Sequence, residues 1–168
     1  ELINEDTKDM IEGVLEVSEL RVRDVMIPRS QMVTIEINQS VDEFLPMVIE
    51  TKHSRYPVVT EDKDHVEGIL LVKDLLEYGF SQDKSLTLAD ILRPAVIVPE
   101  SKRVDVLLKE FRSERYHMSI VVDEYGGVSG LITIEDILEL IVGEIEDEKD
   151  TEEQVDIRKL NNKVYAVE

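Results

Sequence analysis

The stretch GGVSGLITIEDILELIVG, residues 126–143, passes from a strand pattern to a helix pattern without a break. Its apolar residues at 128–132 are typical of a buried strand, and from Ile134 onward apolar residues recur at the three- and four-residue spacing of an amphipathic helix. Gly130, Thr133 and Asp136 follow one another at intervals of three residues across this junction. The spacing therefore places a hydroxyl and a carboxylate one helical turn apart where a helix begins.

The same junction occurs earlier in the chain. RYPVVTEDKDHVEGILLVKDLL (55–76) aligns without gaps with HMSIVVDEYGGVSGLITIEDIL (117–138), so that Gly68 corresponds to Gly130 and Asp74 to Asp136. Upstream of each copy, RDVMIP (23–28) parallels ADILRP (89–94). A tandem duplication of about 60 residues is the simplest explanation.

Each copy has the patterns of a strand, a helix, two strands and a second helix. In the first copy they predict strands at 32–35, 56–59 and 66–72, with a polar turn TEDKDH, a helix that begins at Val41 after the capping-box sequence SVDE, and a short helix through Leu75 and Leu76. In the second copy they predict strands at 96–98, 119–122 and 128–132, and helices at 104–111 and from residue 134.

A further amphipathic helix is predicted before the repeats from the spacing of Met10, Ile11, Val14 and Leu15. We therefore expect an α/β (α+β) fold that consists of two strand-helix-strand-strand-helix repeats with pseudo-two-fold symmetry.

Composition excludes several classes of function. The 168 residues are 42% hydrophobic, which suits a globular core, and 38 acidic against 19 basic side chains give a formal net charge of -19, which opposes binding to nucleic acid. The absence of cysteine excludes disulfides and thiolate metal sites, and it fits a reducing compartment. No apolar run approaches the roughly 18 residues that span a bilayer. We expect a cytoplasmic location, including the cytoplasmic side of a membrane-associated protein, for a chain that reads as a fragment of a longer one.

The two copies differ at one position of the junction. Thr133 in the second copy corresponds to Leu71 in the first, so that one Thr-x-x-Asp sequence is intact and the other is degraded. Thr133 followed three residues later by an acid is also an N-cap arrangement, which stabilises a helix by roughly 1 kcal/mol and needs no ligand. A capping role and a ligand-binding role are both open, and one structure can hold both.

Other motifs favour ordinary structural roles. His53, His65 and His117 lack the short spacing of a zinc site. No Ser/His/Asp or paired-carboxylate arrangement can be assembled, so we expect no enzyme activity, no catalytic residues and no metal ligands. The acidic run EIEDEKDTEE (144–153) lacks the glycine and the spacing of a calcium loop and favours a solvated linker, with direct Mg²⁺ or Co²⁺ binding by this run as the competing hypothesis.

The doubled unit, whose last strand runs into Gly-x-x-Thr-x-x-Asp, resembles the CBS-domain pair, or Bateman module, over about residues 21–146. More narrowly, RVRDVMIPRSQM, HSRYPVV and VVDEYGGVSGLITIEDILELIVGEIEDE resemble the CorC/HlyC family. This resemblance divides the chain into an N-terminal helical linker at 1–20, CBS domain 1 at 21–82, CBS domain 2 at 83–146, and an acidic linker with the start of a C-terminal domain at 147–168.

The resemblance implies a regulatory module that binds AMP or ATP, the latter with Mg²⁺, and couples this binding to divalent-cation transport in a magnesium and cobalt efflux protein. Asp136 would accept hydrogen bonds from the ribose hydroxyls, and Thr133 would contact the ribose or the phosphate, while amide groups at the start of the last helix face the phosphate. The adenine and the phosphate mouth would be walled by Ile27, His53, Arg55, Tyr56 and Pro57. Relatives often have Thr in place of Ile27.

The resemblance also implies partners. CBS pairs usually associate through their helical faces, so we expect a homodimer and a membrane transport component as the effector. The competing hypothesis is a ligand-free structural dimerisation module of a membrane-associated protein, and the degraded junction at Leu71 shows that loss of a site can happen within this chain.

Overall fold

The computed structural model of the chain describes residues 4–80 and 87–143. Its helices are α1 (Glu5–Glu19), α2 (Val22–Val25), α3 (Val41–Thr51), α4 (Val72–Phe80), α5 (Val104–Glu114) and α6, which begins at residue 134 and is described to residue 143. Its strands are β1 (Ile27–Pro28), β2 (Ile35–Glu36), β3 (Arg55–Thr60), β4 (Asp62–Leu71), β5 (Val96–Pro99), β6 (Met118–Val122) and β7 (Val128–Thr133), and 3-10 turns lie at Arg29–Gln31 and Leu88–Ile91.

The strands form one sheet for each repeat. In the first sheet, β2 runs parallel to β3, and β3 runs antiparallel to β4. In the second sheet, β5 runs parallel to β6, and β6 runs antiparallel to β7. The two repeats thus share one pairing scheme, and the predicted α/β fold of two related repeats is confirmed.

Each repeat sends its leading segment to the sheet of the other repeat. β1 pairs with β7 so that Ile27 lies opposite Leu131, and Arg93, which corresponds to Ile27, forms an isolated bridge to Ile69 in β4. The repeated glycines permit these crossings. A Cβ at Gly68 would lie 2.8 Å from the carbonyl oxygen of Arg93, and one at Gly130 would overlap the carbonyl oxygen of Ile27. Both positions therefore need a residue without a side chain.

Three apolar clusters hold the fold together. The first repeat has its own core around Ile35, Phe44, Tyr56 and Leu70, and the second has its core around Leu107, Phe111, Ile132 and Ile137. A third cluster lies between the two sheets and takes residues from both repeats: Met32, Ile69, Met118, Ile120, Val128 and Leu131. Burial of these side chains fixes the two repeats against each other.

The predicted N-terminal helix is confirmed as α1, and it packs on the second repeat. Val17 is 3% exposed and belongs to the core of that repeat, while Gly13 lets α1 approach α6, since a Cβ there would lie 2.9 Å from the carbonyl oxygen of Ile141. The four apolar residues that predicted the helix are exposed: Met10, Ile11, Val14 and Leu15.

Two local predictions were wrong in detail. The predicted strand at 32–35 is reduced to β2, because Arg29–Gln31 forms a 3-10 turn and Met32 is buried in the cluster between the repeats. The polar sequence TEDKDH is not an open loop either. β3 and β4 extend through it and reverse at Glu61, whose φ of 68° is left-handed. Helix α3 begins as predicted, with the Ser40 hydroxyl accepting from the Glu43 amide, and it accommodates Pro46 in its interior.

Candidate functional site

A cleft of about 340 Å³ lies between the two repeats, and we call it the first cleft. Six of the seven residues predicted for nucleotide binding line it: Ile27, His53, Arg55, Pro57, Thr133 and Asp136. The pairing of β1 with β7 brings Ile27 of the first repeat beside the last strand of the second. His53, which precedes β3, and Arg55 and Pro57, which lie at its start, also come from the first repeat. The strand exchange thus assembles one cleft from residues that lie far apart in the chain.

Thr133 caps helix α6. It is the last residue of β7, and its hydroxyl oxygen accepts a hydrogen bond from the amide of Asp136 at 3.2 Å. The N-cap role that the sequence left open is therefore real. A hydroxyl has one proton to donate and two lone pairs, so this bond leaves the Thr133 proton free for a ligand in the cleft.

Asp136 holds a buried oxygen that lacks a partner. Its Oδ2 atom is buried and forms no hydrogen bond with any residue that the structure describes. Buried carboxylate oxygens are normally satisfied, because an unsatisfied one forfeits the hydrogen bonds that water gave it. Since Asp136 lines the first cleft, hydroxyl groups of a bound molecule are suitable donors for this oxygen.

Two amide groups at the start of α6 are already used within the protein. The amide of Ile134 donates to the carbonyl oxygen of His117 at 2.9 Å, and the amide of Asp136 donates to Thr133. The prediction that the amides of this helix start face a phosphate does not hold for these two groups. The positive charge in the first cleft comes from side chains of the first repeat.

Those side chains are Lys52 and Arg55, which share the cleft with Glu135 and Asp136. The Arg55 side chain is 23% exposed, and its guanidinium lies 3.9 Å from the Glu135 carboxylate, which also lies 3.1 Å from Nδ1 of His117. The first cleft therefore has balanced formal charge. Because Glu135 is more than half exposed, its pairing with Arg55 contributes little free energy and can give way to a ligand.

Tyr56 does not line the cleft, so its predicted role as a wall is corrected. It is fully buried in the first repeat, where its hydroxyl lies 2.7 Å from Oγ1 of Thr51 and accepts from the amide of His53 at 3.0 Å. The physical reason is strand alternation, since Arg55 and Pro57 point to one side of β3 and Tyr56 to the other. Tyr56 supports His53 from behind, with the two ring centroids 5.7 Å apart.

Several residues of the cleft were not predicted from the sequence: Gln31, Met32, Val33, Lys52, Ser54, Met118, Leu131 and Glu135. Leu131 carried a usable signal, because it lies two residues before Thr133 on one strand and so shares its face. Met32 and Met118 carried none. They reach the cleft through the packing between the repeats, which no local pattern encodes.

A second cleft, of about 230 Å³, lies at the related position. It is lined by Arg55, Ile69, Leu71, Lys73, Arg93, Pro94, Val96, Arg115, Tyr116, His117 and Met118. Leu71 stands where the first cleft has Thr133, and Arg93 stands where it has Ile27. Arg93 binds the carboxylate of Asp74 at 3.2 Å, which raises the pKa of the guanidinium and occupies the acid that corresponds to Asp136.

Residues 4–80 and 87–143 carry neither a candidate metal cluster nor a candidate membrane span. This part of the chain has no group of three or more His, Asp or Glu that could hold a metal ion. None of the helices described is long and apolar enough to cross a membrane. The acidic run at 144–153 and the predicted C-terminal segment at 147–168 lie outside the described residues, so the hypothesis of metal binding by the acidic run is not tested.

Comparison with known sequences gives two related findings. The family model of the CBS domain matches residues 22–81 and 88–143. Curated relatives named "Magnesium and cobalt efflux protein CorC" are 61% identical in Salmonella typhimurium and 64% identical in Vibrio cholerae over 167 residues, which is 99% of this chain. The chain spans 57% of the length of each of these relatives.

Comparison with solved structures agrees. The CBS domain of a bacterial CNNM/CorC family Mg²⁺ transporter is 44% identical, with a TM-score of 0.77 over 84% of this chain and 86% of that one. The same kind of domain solved in complex with ATP is 44% identical, with a TM-score of 0.74 over 81% of this chain and 96% of that one. A CBS-domain pair from Klebsiella pneumoniae with bound AMP is 29% identical, with a TM-score of 0.65 over 74% of this chain and 99% of that one.

Proposed function

Because the chain belongs to the CBS-domain family, in its CorC branch, we propose that the first cleft binds an adenosine nucleotide, AMP or ATP, as a regulatory ligand. The observation that carries the proposal is the buried, unpartnered Oδ2 of Asp136, one helical turn from the Thr133 hydroxyl. The two hydroxyls of a ribose can donate to that carboxylate, and Thr133 can donate to the ribose or to a phosphate oxygen.

The rest of the cleft suits the rest of a nucleotide. Ile27, Pro57 and Leu131 offer an apolar surface for a purine, and Lys52, His53 and Arg55 line the same cleft and can receive phosphate. A volume of about 340 Å³ falls within the range of roughly 300–1,000 Å³ that small-molecule sites occupy. When ATP binds, its phosphates would supply the principal ligands of an accompanying Mg²⁺ ion.

The proposed role is regulation of magnesium and cobalt efflux, since the relatives that the chain matches carry that name. A ligand that touches both repeats favours one angle between them. Helix α1 is placed to pass this change on, because Asp136 also lines a cavity of about 370 Å³ with Glu16 and Val17 of α1. We place the module on the cytoplasmic side of a membrane, where it would couple nucleotide binding to a transport component.

We further propose that the chain acts as a homodimer through its helical faces. Large aliphatic side chains are exposed on α3 and α4, with Ile49 at 64% and Leu76 at 63% exposure, and a second copy would bury them. Sedimentation equilibrium should give twice the chain mass, and Ile49→Glu with Leu76→Glu should shift it toward the single-chain mass. A single-chain mass for the unaltered protein would contradict the dimer.

The nucleotide proposal is tested by calorimetric titration with AMP and with ATP, each with and without Mg²⁺. We expect one site per chain, and we expect Thr133→Val to weaken it by about tenfold or more, because the isosteric side chain cannot donate a hydrogen bond. Thr133→Ser is the matched control that keeps the hydroxyl and should bind within about threefold of the unaltered chain.

Both variants should be checked by thermal unfolding, because loss of the N-cap in Thr133→Val costs about 1 kcal/mol of stability. Absence of heat with every nucleotide, in protein freed of copurified ligand, would refute nucleotide binding. Equal affinity in Thr133→Val and Thr133→Ser would remove Thr133 from the site.

A further inference from the structure

We propose that the second cleft binds a small, multiply charged phosphate anion, such as inorganic phosphate or pyrophosphate, rather than a nucleoside. The cleft lies at the symmetry-related position, but its wall has a different chemistry. Four basic side chains line it, together with His117: Arg55, Lys73, Arg93 and Arg115. Among the described residues that line it, none is Asp or Glu.

This concentration of positive charge is contrary to the charge of the whole chain. Acidic side chains outnumber basic ones by 38 to 19, so an arbitrary surface cavity would be lined mostly by carboxylates. Like charges that converge on one small cavity repel one another, and the repulsion grows as water is excluded. An anion with two or more charges would offset this repulsion. Convergence of positive side chains is therefore the arrangement expected of an anion-binding site.

Two of the four basic groups are available to such an anion. Arg93 is engaged by Asp74 at 3.2 Å, and Arg55 lies 3.9 Å from Glu135. Lys73 and Arg115 form no ion pair or side-chain hydrogen bond with any residue in 4–80 or 87–143. An ammonium and a guanidinium that face one cavity without carboxylate partners provide charge-assisted donors, and the planar guanidinium matches two phosphate oxygens at once.

The same cleft lacks the features that would hold a nucleoside. Leu71 replaces the threonine hydroxyl of the first cleft, and Asp74 is held by Arg93, so no free acidic acceptor remains for ribose hydroxyls. Its volume of about 230 Å³ lies below the roughly 300–1,000 Å³ of ordinary small-molecule sites. A compact anion fits these limits, and an intact nucleotide does not.

The experiment is calorimetric titration of the 168-residue chain with sodium pyrophosphate at about 0.05 M and 0.15 M ionic strength. We expect one saturable site per chain, weaker at the higher ionic strength because salt screens the charges. The double variant Lys73→Ala with Arg115→Ala should weaken it by about tenfold or more. Its matched control is Lys109→Ala with Arg112→Ala, which removes the same charges from exposed positions on α5 and should bind as the unaltered chain does.

A second arm separates the two clefts. Pyrophosphate should bind equally well to Thr133→Val. Because Arg55 lines both clefts, its affinity for chain saturated with AMP should stay within about threefold of its affinity for the free chain. Loss of binding in either case would mean that the anion occupies the phosphate end of the first cleft, and it would overturn the proposal. Equal loss in both double variants, or the absence of a saturable site at both ionic strengths, would overturn it as well.

The proposal does not rest on nucleotide binding. Pyrophosphate binding that depends on Lys73 and Arg115, in a chain that binds neither AMP nor ATP, would refute the proposed function of the first cleft and leave this one standing. Nucleotide binding without pyrophosphate binding would refute the proposal for the second cleft and leave the proposed function of the first cleft standing.

Discussion

The first and second clefts share a backbone and differ in their chemistry. Both are formed where the leading segment of one repeat crosses the last strand of the other, and both have a glycine at the crossing, Gly130 or Gly68. The residues that face the cavities have diverged. The first cleft has the Thr133 hydroxyl and balanced charge, whereas the second has Leu71 and an excess of positive charge. Both repeats have therefore kept the glycine that the backbone crossing requires, while the residues that line the cavities differ.

A second difference lies at the edge of the first repeat. Asp64, in the β3–β4 hairpin, accepts a hydrogen bond from the Val128 amide of the second repeat at 2.9 Å and forms an ion pair with Arg29. The corresponding position in the second repeat is Gly126, which has no side chain to form such a contact. The two repeats are thus clamped on one side, and the clamp favours a hinge-like response to a ligand.

The largest effect is expected where the crossing itself is altered. Gly130→Ala should lower the free energy of unfolding by about 3 kcal/mol, because the new methyl group would overlap the backbone of Ile27, and Gly68→Ala by about 1–2 kcal/mol, since its nearest contact is less severe. Chemical denaturation measures both. Gly79→Ala, which meets nothing within 4 Å, is the control and should not destabilise the chain. Equal losses of unfolding free energy in Gly130→Ala and Gly68→Ala would contradict the expected difference in packing between the two crossings.

The next largest effect is expected on ligand binding, and it distinguishes Asp136 from its counterpart Asp74. Asp136→Asn should weaken nucleotide binding by roughly 10- to 100-fold, because hydrogen bonds to a charged acceptor are stronger than those to an amide. Asp74→Asn should leave nucleotide affinity unchanged and should strengthen pyrophosphate binding, since it releases Arg93. Calorimetric titration with nucleotide and with pyrophosphate measures the two affinities in each variant. Loss of nucleotide affinity in Asp74→Asn would mean that the nucleotide occupies the second cleft, which would contradict the proposed site.

The smallest effect concerns the clamp and depends on pH. The Arg29 guanidinium, and after it the Val128 amide, hold the pKa of Asp64 below its ordinary value of 3.8. A lowered pKa in the folded state means that the contribution is fully present above the unfolded-state value and is lost as pH falls through the folded-state value. Asp64→Asn should therefore unfold at lower urea concentration than the unaltered chain at pH 7, and the difference should shrink progressively as the pH falls below 3.8 toward the lowered pKa of the folded state.

The control for this measurement is Glu61→Gln, which removes a neighbouring charge from the turn without touching the second repeat. A difference in urea midpoint that persists unchanged at pH 2.5 would show that Asp64 does not act through its ionised carboxylate.

Much of the fold was predictable because it is encoded locally. The repeat, the pattern of strands and helices in each copy and the cap at Thr133 follow from periodicity and from residue types that act on their own neighbours. The predicted strand at 32–35 failed for the opposite reason. Met32 packs in the cluster between the repeats whereas Ile35 packs in the core of its own repeat, and an apolar run by itself does not reveal what it packs against.

The candidate site shows the same division. By itself, the sequence determined that Thr133 and Asp136 stand one turn apart at a helix start and that one copy keeps this pair while the other does not. Only the tertiary structure decided that β1 carries Ile27 to the opposite sheet, that Tyr56 faces the core, and that Arg93 occupies Asp74. Backbone hydrogen bonds and side-chain spacing act within a few residues and can be read along the chain. The choice of strand partners and ion-pair partners depends on which distant surfaces bury the most apolar area together, and only the folded chain settles it.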